Sequence, residues 1–246
     1  MHRFFVKGFL PDVAIKQDDI NHIKNVLRKK SGDEITVIDE AGHTAIAVLA
    51  LLSDTAIELE IKKSIDYQSE PPVRAIIGQG IGKGDKMDFV VQKAVELGAT
   101  DIVPLMMERT VVRYDEKKAK DRRDRWQKIA VEAAKQSKRT VVPTVHPILG
   151  LTETVETFNF DLGIMLWEEE KNTGLREILK KVDKDKVKTV FLLVGPEGGI
   201  SEKEAEAAKN AGFASASLGK RVLRTETAGI AAISVMMYEI GGFGDV

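Results

Sequence analysis

Apolar and polar positions follow two different patterns along the 246-residue chain, and the change falls near residue 71. Before it the apolar runs are short. "RFFVKGF", "DEITVIDEAG", "HTAIAVLALL" and "TAIELEIKK" read as strands separated by the turn signals "KSGDE" and "DEAGH". One helix interrupts them, near Asp18 to Lys30, with Ile20, Ile23, Val26 and Leu27 on one face. The pattern predicts a small barrel or sandwich over residues 1–70. "DYQSEPPV" brings two prolines among polar residues and reads as a boundary.

After it strands alternate with helices. "VRAIIGQG" reads as a strand, followed by a helix from Asp85 that Gly98 closes. "TDIVPLM" is the next strand, and a long helix covers roughly Lys117 to Ser137. "DLGIMLWE" is a strand, "TGLREILKKV" a helix and "VKTVFLLVG" a wholly apolar strand. Ser201 and Glu204 form a capping-box pattern that opens a helix closed by Gly212. "ASASL" is a last short strand, and Thr225 is placed to cap a final helix to about Ile240. The expected fold class is α/β, with a mostly parallel sheet covered on both faces over residues 71–246.

Composition narrows the chemistry. Hydrophobic content of 43% and charged content of 30% are those of a soluble globular protein. No apolar run is long enough to span a membrane, and "MHRFFVKGFLPDV" lacks a signal-peptide core, so a cytoplasmic address is expected. Cysteine is absent, which excludes disulfides, thiolate metal sites and a cysteine nucleophile. His2, His22, His43 and His146 stand in no short metal-ligand spacing, so no metal is expected, although carboxylates remain able to hold magnesium. The net charge of −1 says nothing about nucleic acid. Its distribution does: residues 117–139 hold ten Lys or Arg against three Asp or Glu. That segregation reads as an electrostatic footprint for RNA or as a solvated helix face. Arg3, Arg28, Lys29 and Lys30 offer a second basic patch, and Trp126 beside Arg122, Arg123 and Arg125 either stacks a base or is buried.

Ligands of open α/β sheets bind outside the carboxyl ends of strands, and glycine-bearing turns follow strands here. In "IIGQGIGKGDK", Gly78, Gly80 and Gly82 suggest a dinucleotide or Rossmann-type site, with Glu108 where a ribose-binding acid would sit. Neither G-x-G-x-x-G nor the phosphate-loop spacing is met, and a plain strand-to-helix linker is the other reading. In Gly195-Pro-Glu-Gly-Gly199 the glycines permit close backbone approach and the proline stiffens the turn. Such a turn suits recognition by main-chain atoms, or is simply a tight connection. "LGKRVLRTETAG" then places Lys220, Arg221 and Arg224 in a loop that has no folding need for them except as ion-pair partners.

"LLVGPEGGISEKE" followed by "LGKRVLRTETAGIAAI" closely resembles the C-terminal signature of the RsmE family, SPOUT-type enzymes that methylate N3 of uridine 1498 in 16S ribosomal RNA. "KGDKMDFVVQKAVELGATDIVPL", "ERTVVR" and "RWQKIAVEAAKQSKR" extend the likeness upstream, and "RFFV" and "HIKNVLRKKSGDEI" resemble the family's PUA-like barrel. The resemblance implies a PUA-like β-barrel domain over 1–70 and a SPOUT α/β-knot methyltransferase domain, with a deep trefoil knot, over 71–246. It implies S-adenosyl-L-methionine (SAM) as cofactor, 16S rRNA or the 30S subunit as partner, and a homodimer. On this reading the first glycine run is a strand end. Leu166, Gly195, Glu197, Gly198, Leu218, Gly219, Leu223 and Thr225 are assigned to the cofactor pocket. Arg224 is expected to stabilise the uracil anion, with Arg221 as a further cation and Glu226 as proton acceptor; Arg3, Arg28, Lys29, Arg122 and Arg125 are expected to bind RNA. The absence of cysteine suits N3 chemistry, which needs deprotonation and no covalent intermediate. Two rivals stay open: a nucleotide-dependent enzyme using Gly78 to Gly82, and a non-catalytic RNA-binding protein.

Overall fold

The computed structural model describes residues 1–240. They form two compact units, one of residues 1–70 with 134–142 and one of residues 71–133 with 143 onward. In the first unit lie β1 (Arg3–Phe5), β2 (Lys7–Phe9), β3 (Asp12–Ala14), α1 (Gln17–Asn21), β4 (Glu34–Ile38), β5 (Thr44–Leu52) and β6 (Ile57–Ile65). A mixed sheet runs in the order β1-β4-β5-β6, and β2 and β3 form a separate antiparallel hairpin. Phe4, Ile20, Ile23, Ile35, Val37 and Leu49 form its core.

The helix expected from Asp18 to Lys30 is shorter and broken. After α1 the turn widens to a π-helix over His22–Val26, the Leu27 N–H reaching back to the His22 carbonyl. Arg28 then takes a φ of 51° and ends it. Ile20 and Ile23 are buried and Leu27 packs against the core, but Val26, expected on the same face, is 63% exposed, because the wider π turn rotates it outward.

The second unit carries β7 (Arg74–Gly80), α2 (Lys86–Glu96), β8 (Asp101–Leu105), α3 (Glu116–Gln136), β9 (Thr144–Val145), α4 (Leu151–Thr157), β10 (Leu162–Leu166), α5 (Leu175–Lys180), β11 (Thr189–Val194), α6 (Glu202–Asn210), β12 (Phe213–Ala216) and α7 (Thr225–Ile240). Its six strands are all parallel, in the order β12-β10-β11-β7-β8-β9. The last residues of α3 fall in the first unit by the division above. β9 and α4 are additions that the sequence pattern did not signal. Helices α2, α5 and α7 pack together, as do α4 and α6.

Buried apolar strands hold this sheet. Ile76, Val103, Leu105, Met165, Phe191 and Leu193 form one cluster, and Phe158, Phe160 and Phe213 meet Phe191 edge-on, with centroids 5.3 to 5.9 Å away. The run of side chains pointing inward on both faces is what a parallel sheet requires. Asp101, at the start of β8, accepts two hydrogen bonds from Arg74, one from Thr100 and a 2.8 Å contact from His146. Burial would raise its carboxyl, but these partners outweigh it and hold the group well below the ordinary carboxylate range. Among the described residues no helix is long and apolar enough to cross a membrane.

Candidate functional site

The carboxyl ends of β12, β10, β11 and β7 stand side by side, because the sheet order makes these four strands neighbours. The turns leaving them therefore share one end of the sheet, although they come from residues 80, 166, 194 and 216. A cavity of about 830 Å³ opens there, within the range of small-molecule sites. Its walls come from Leu166 to Lys171, Val194 to Gly199 and Ser217 to Thr225, with Lys86 and Ala228 closing it.

Two glycines explain how the strand ends come so close. A Cβ on Gly80 would lie 2.2 Å from the Pro196 nitrogen and 2.6 Å from the Gly195 carbonyl carbon. Only glycine lets the end of β7 meet the turn after β11. Gly78 is held in the same way by the Phe191 ring, at 2.7 Å. So the first glycine run is a packing device and not a phosphate cradle. Glu108 is likewise committed: it accepts from the Ser201 hydroxyl at 2.7 Å, at the cap of α6. The Ser201–Glu204 capping box is present as read from the sequence.

A relay of hydrogen bonds ties the site together. Gln79, fully buried at the end of β7, donates from Nε2 to Thr225 Oγ1 at 2.8 Å. The Thr225 hydroxyl in turn donates to the Gly195 carbonyl. Thr225 therefore does not cap α7; it is the first residue of that helix, and its hydroxyl is spent on the turn.

Glu197 points its carboxylate to the first turn of α2, accepting from the Lys83 N–H at 2.8 Å and pairing with the Lys86 ammonium at 3.1 Å. Burial pushes the Glu197 carboxyl up, but the N–H groups of Lys83 and Glu197 and the Lys86 ammonium outweigh it and hold it below its ordinary value. The same hydrogen bond to Glu197 raises Lys86 above its ordinary value. Lys86 also lies 3.5 Å from Glu226 Oε2, a buried oxygen that holds no hydrogen bond among the described residues.

Of the residues assigned to the cofactor pocket, Leu166, Gly195, Glu197, Leu218, Gly219, Leu223 and Thr225 line the cavity. Gly198 stands outside its lining and packs against Arg109, whose Cβ would be 2.8 Å from an added methyl. Arg221 and Arg224 line the cavity and are exposed; Glu226 lies behind it, in the first turn of α7. Lys86, Trp167 and Glu168 also line it and were not singled out from the sequence. A cation opening the helix in "KGDKMDF" was the available signal for Lys86.

The residues assigned to RNA are divided between the two units. Arg3, Arg28 and Lys29 belong to the first unit. Arg3 lies over the Tyr67 ring at 4.4 Å and donates to the Lys138 carbonyl, and Lys29 pairs with Asp33 at 3.8 Å. In the second unit Arg122 is half-buried, and the exposed Arg125 pairs with Asp88 and, at 3.6 Å, with Asp85. Trp126 is buried and donates to Asp88 at 3.1 Å, which removes it as a base-stacking platform. Among the described residues no cluster of His, Asp and Glu gathers as a metal site would.

A family model described as an RNA methyltransferase domain matches residues 69–237, and one described as an RNA methyltransferase PUA domain matches residues 15–62. The chain is 34% identical to the ribosomal RNA small subunit methyltransferase E of Bacillus subtilis, over 97% of both chains. The chain belongs to the ribosomal RNA small subunit methyltransferase E family. Another member, from Buchnera aphidicola, is 30% identical over 97% of this chain and 96% of its own. The crystal structure of a family member from Neisseria gonorrhoeae bound to S-adenosyl methionine has a TM-score of 0.86 and 36% identity, covering 99% of each chain. A Legionella pneumophila methyltransferase in complex with SAM has the same TM-score at 28% identity, covering 97% of each. In this ribosomal RNA small subunit methyltransferase E fold, an α/β unit with a parallel sheet follows a small PUA-type domain.

Proposed function

We propose that this protein transfers a methyl group from SAM to N3 of uridine 1498 in the 16S RNA of the small ribosomal subunit. One observation carries the reading: the two motifs that mark the family, 195–199 and 217–225, converge on a single cavity at the carboxyl end of the sheet. Its residues fit the cofactor. Leu166, Val194, Leu218 and Leu223 offer an apolar lining for an adenosine, and the irregular segment between Ser217 and Thr225 leaves main-chain atoms for polar contacts. Bound SAM supplies an electrophilic methyl group on a sulfonium.

The chain's own groups then have the following roles. Gly195, Glu197, Gly198, Leu218, Gly219 and Thr225 hold the cofactor, Gly198 by shaping the turn. N3 of uracil lies on the Watson–Crick edge and must be unpaired to reach the cavity. Its negative charge on deprotonation spreads to the flanking carbonyl oxygens. The Arg224 guanidinium, at the cavity, stabilises that charge, and Arg221 adds to the field. Glu226 Oε2, which holds no hydrogen bond among the described residues, takes the N3 proton, with the Lys86 ammonium 3.5 Å away. Arg3, Arg28, Lys29, Arg122 and Arg125 contribute to RNA binding.

The same reading includes a PUA-like barrel domain over 1–70, a knotted methyltransferase domain over 71–246 and a cytoplasmic site of action, where ribosomal subunits are built. The knot is supported by the path of residues 217–225, which run from β12 past the turn after β11 into α7. A homodimer is supported by Phe89 on α2 and Val235 and Tyr238 on α7, apolar side chains 47%, 41% and 70% exposed on two helices that pack together. The test is Arg224→Ala. Methylation of small-subunit RNA should fall by at least about a hundredfold while the SAM affinity measured by calorimetry stays unchanged. Undiminished turnover would remove Arg224 from the reaction.

A further inference from the structure

Three carboxylates line the cavity, and two of them are already engaged. Glu170 accepts from the N–H groups of Asn172 and Thr173, at 2.9 and 3.0 Å, and from the Ser215 hydroxyl. Glu197 is taken up by Lys83 and Lys86. Glu168 differs. Its side chain is 45% exposed, and its cationic partner among the described residues, Arg109, stands 4.0 Å away, beyond hydrogen-bond reach. The guanidinium of Arg109 donates instead to the Gly198 carbonyl at 3.2 Å.

The place of Glu168 is built into the fold. A Cβ on Gly199 would fall 1.7 Å from Glu168 Oε1, so any other residue at 199 would expel the carboxylate. Gly199 also has a φ of +74°, a conformation other residues rarely adopt. The turn Trp167 to Glu170, closed by the Glu170 N–H on the Trp167 carbonyl at 3.1 Å, places Glu168 just past the end of β10, at the cavity. A carboxylate held in a ligand cavity with no cation hydrogen-bonded to it is an acceptor for a ligand's cation.

We propose that Glu168 is a cofactor-binding residue that receives the methionine ammonium of SAM. The inference rests on the cavity being the SAM site, and it deepens that reading by assigning the polar end of the ligand. It also gives a use to the space left by the missing Cβ of Gly199, a residue whose positive φ independently favours glycine.

The test uses S-adenosylhomocysteine, whose sulfur is neutral, and its analogue lacking the amino group. Both are titrated calorimetrically into the parent protein and into Glu168→Gln, which keeps the shape of the side chain. Glu168→Gln should weaken S-adenosylhomocysteine by about tenfold, as expected for loss of one charge-assisted hydrogen bond at a partly exposed site. The deaminated analogue should bind both proteins equally. An equal loss for both ligands, or no loss for either, overturns the assignment. Failure of the parent protein to bind S-adenosylhomocysteine at all overturns the assignment together with the proposed SAM site. A melting temperature for Glu168→Gln within about 2 °C of the parent's excludes misfolding as the cause of any loss, since surface changes of this kind stay within about 0.5 kcal/mol.

Discussion

Gly80→Ala adds one methyl group at the point where β7 meets the turn after β11. The added carbon would sit 2.2 Å from the Pro196 nitrogen and 2.6 Å from both Pro196 Cδ and the Gly195 carbonyl carbon. Ordinary carbon contacts lie near about 3.5–4.0 Å, so the gap must open by more than about 1 Å. Every atom involved is main chain or proline ring, so no rotamer change relieves the clash. The two segments also sit on neighbouring strands in register, Val194 opposite Gln79, and cannot separate without breaking the ladder. Overpacking of this kind costs about 3 kcal/mol. At about 2–4 °C per kcal/mol for a chain of this size, the melting temperature should fall by about 6–12 °C. The displaced turn carries Gly195 and Pro196, which line the cavity. A shift of about 1 Å there should reduce turnover by about a hundredfold. Scanning fluorimetry and calorimetric titration with SAM measure the two effects. Gly150→Ala is the control, since nothing lies within 4 Å of its added carbon and its φ of −78° suits alanine. If Gly80→Ala melted and bound SAM like the parent, the packing argument for the first glycine run would be wrong.

Asp101→Asn should destabilise the protein by about 3 kcal/mol at neutral pH in urea melts, because Arg74 and His146 lose a charged partner. The Asp101 carboxyl is held below its unfolded value, so its contribution is present above about pH 4 and is lost as pH falls through the folded value. The parent and variant stabilities should therefore converge in acid, and a constant gap down to low pH would refute the assignment. Thr225→Val removes the hydroxyl between Gln79 and Gly195 and leaves a buried amide short of a partner, costing about 1–3 kcal/mol; SAM affinity should fall with it, and a stable variant with intact affinity would count against the relay. Replacing the exposed Lys117 and Lys120 of α3 with alanine should lower the slope of log affinity for RNA against log salt by about 2. An unchanged slope would take that end of α3 out of the RNA surface.

Local signals in the sequence were legible where the structure obeys local rules. Ser201 and Glu204 satisfy each other's backbone partners within one turn, so their spacing suffices to place the start of α6. The wholly apolar run at β11 similarly reports a strand buried on both faces. The π-helix after α1 was hidden, because apolar spacing reports which face is buried and not how many residues each turn takes. α4 was missed because "LTETVET" carries too little apolar periodicity, with Leu151 and Thr154 alone buried. At the site, glycine and proline in 195–199 announced a close approach but not what approaches. Gly80 and Pro196 are over a hundred residues apart, and only the strand order β10-β11-β7 brings them together. The commitment of Glu197 to Lys86, and so the singular position of Glu168, depends on the same long-range arrangement.

The relay from Gln79 through Thr225 to Gly195 has a consequence for biosynthesis. Its donor lies in the first third of the chain and its midpoint in the last tenth. A nascent polypeptide that has completed the strands but not yet released Thr225 has a sheet whose carboxyl end lacks this bridge. A fragment ending before Thr225 should therefore lack the hydroxyl that joins Gln79 to the turn after β11.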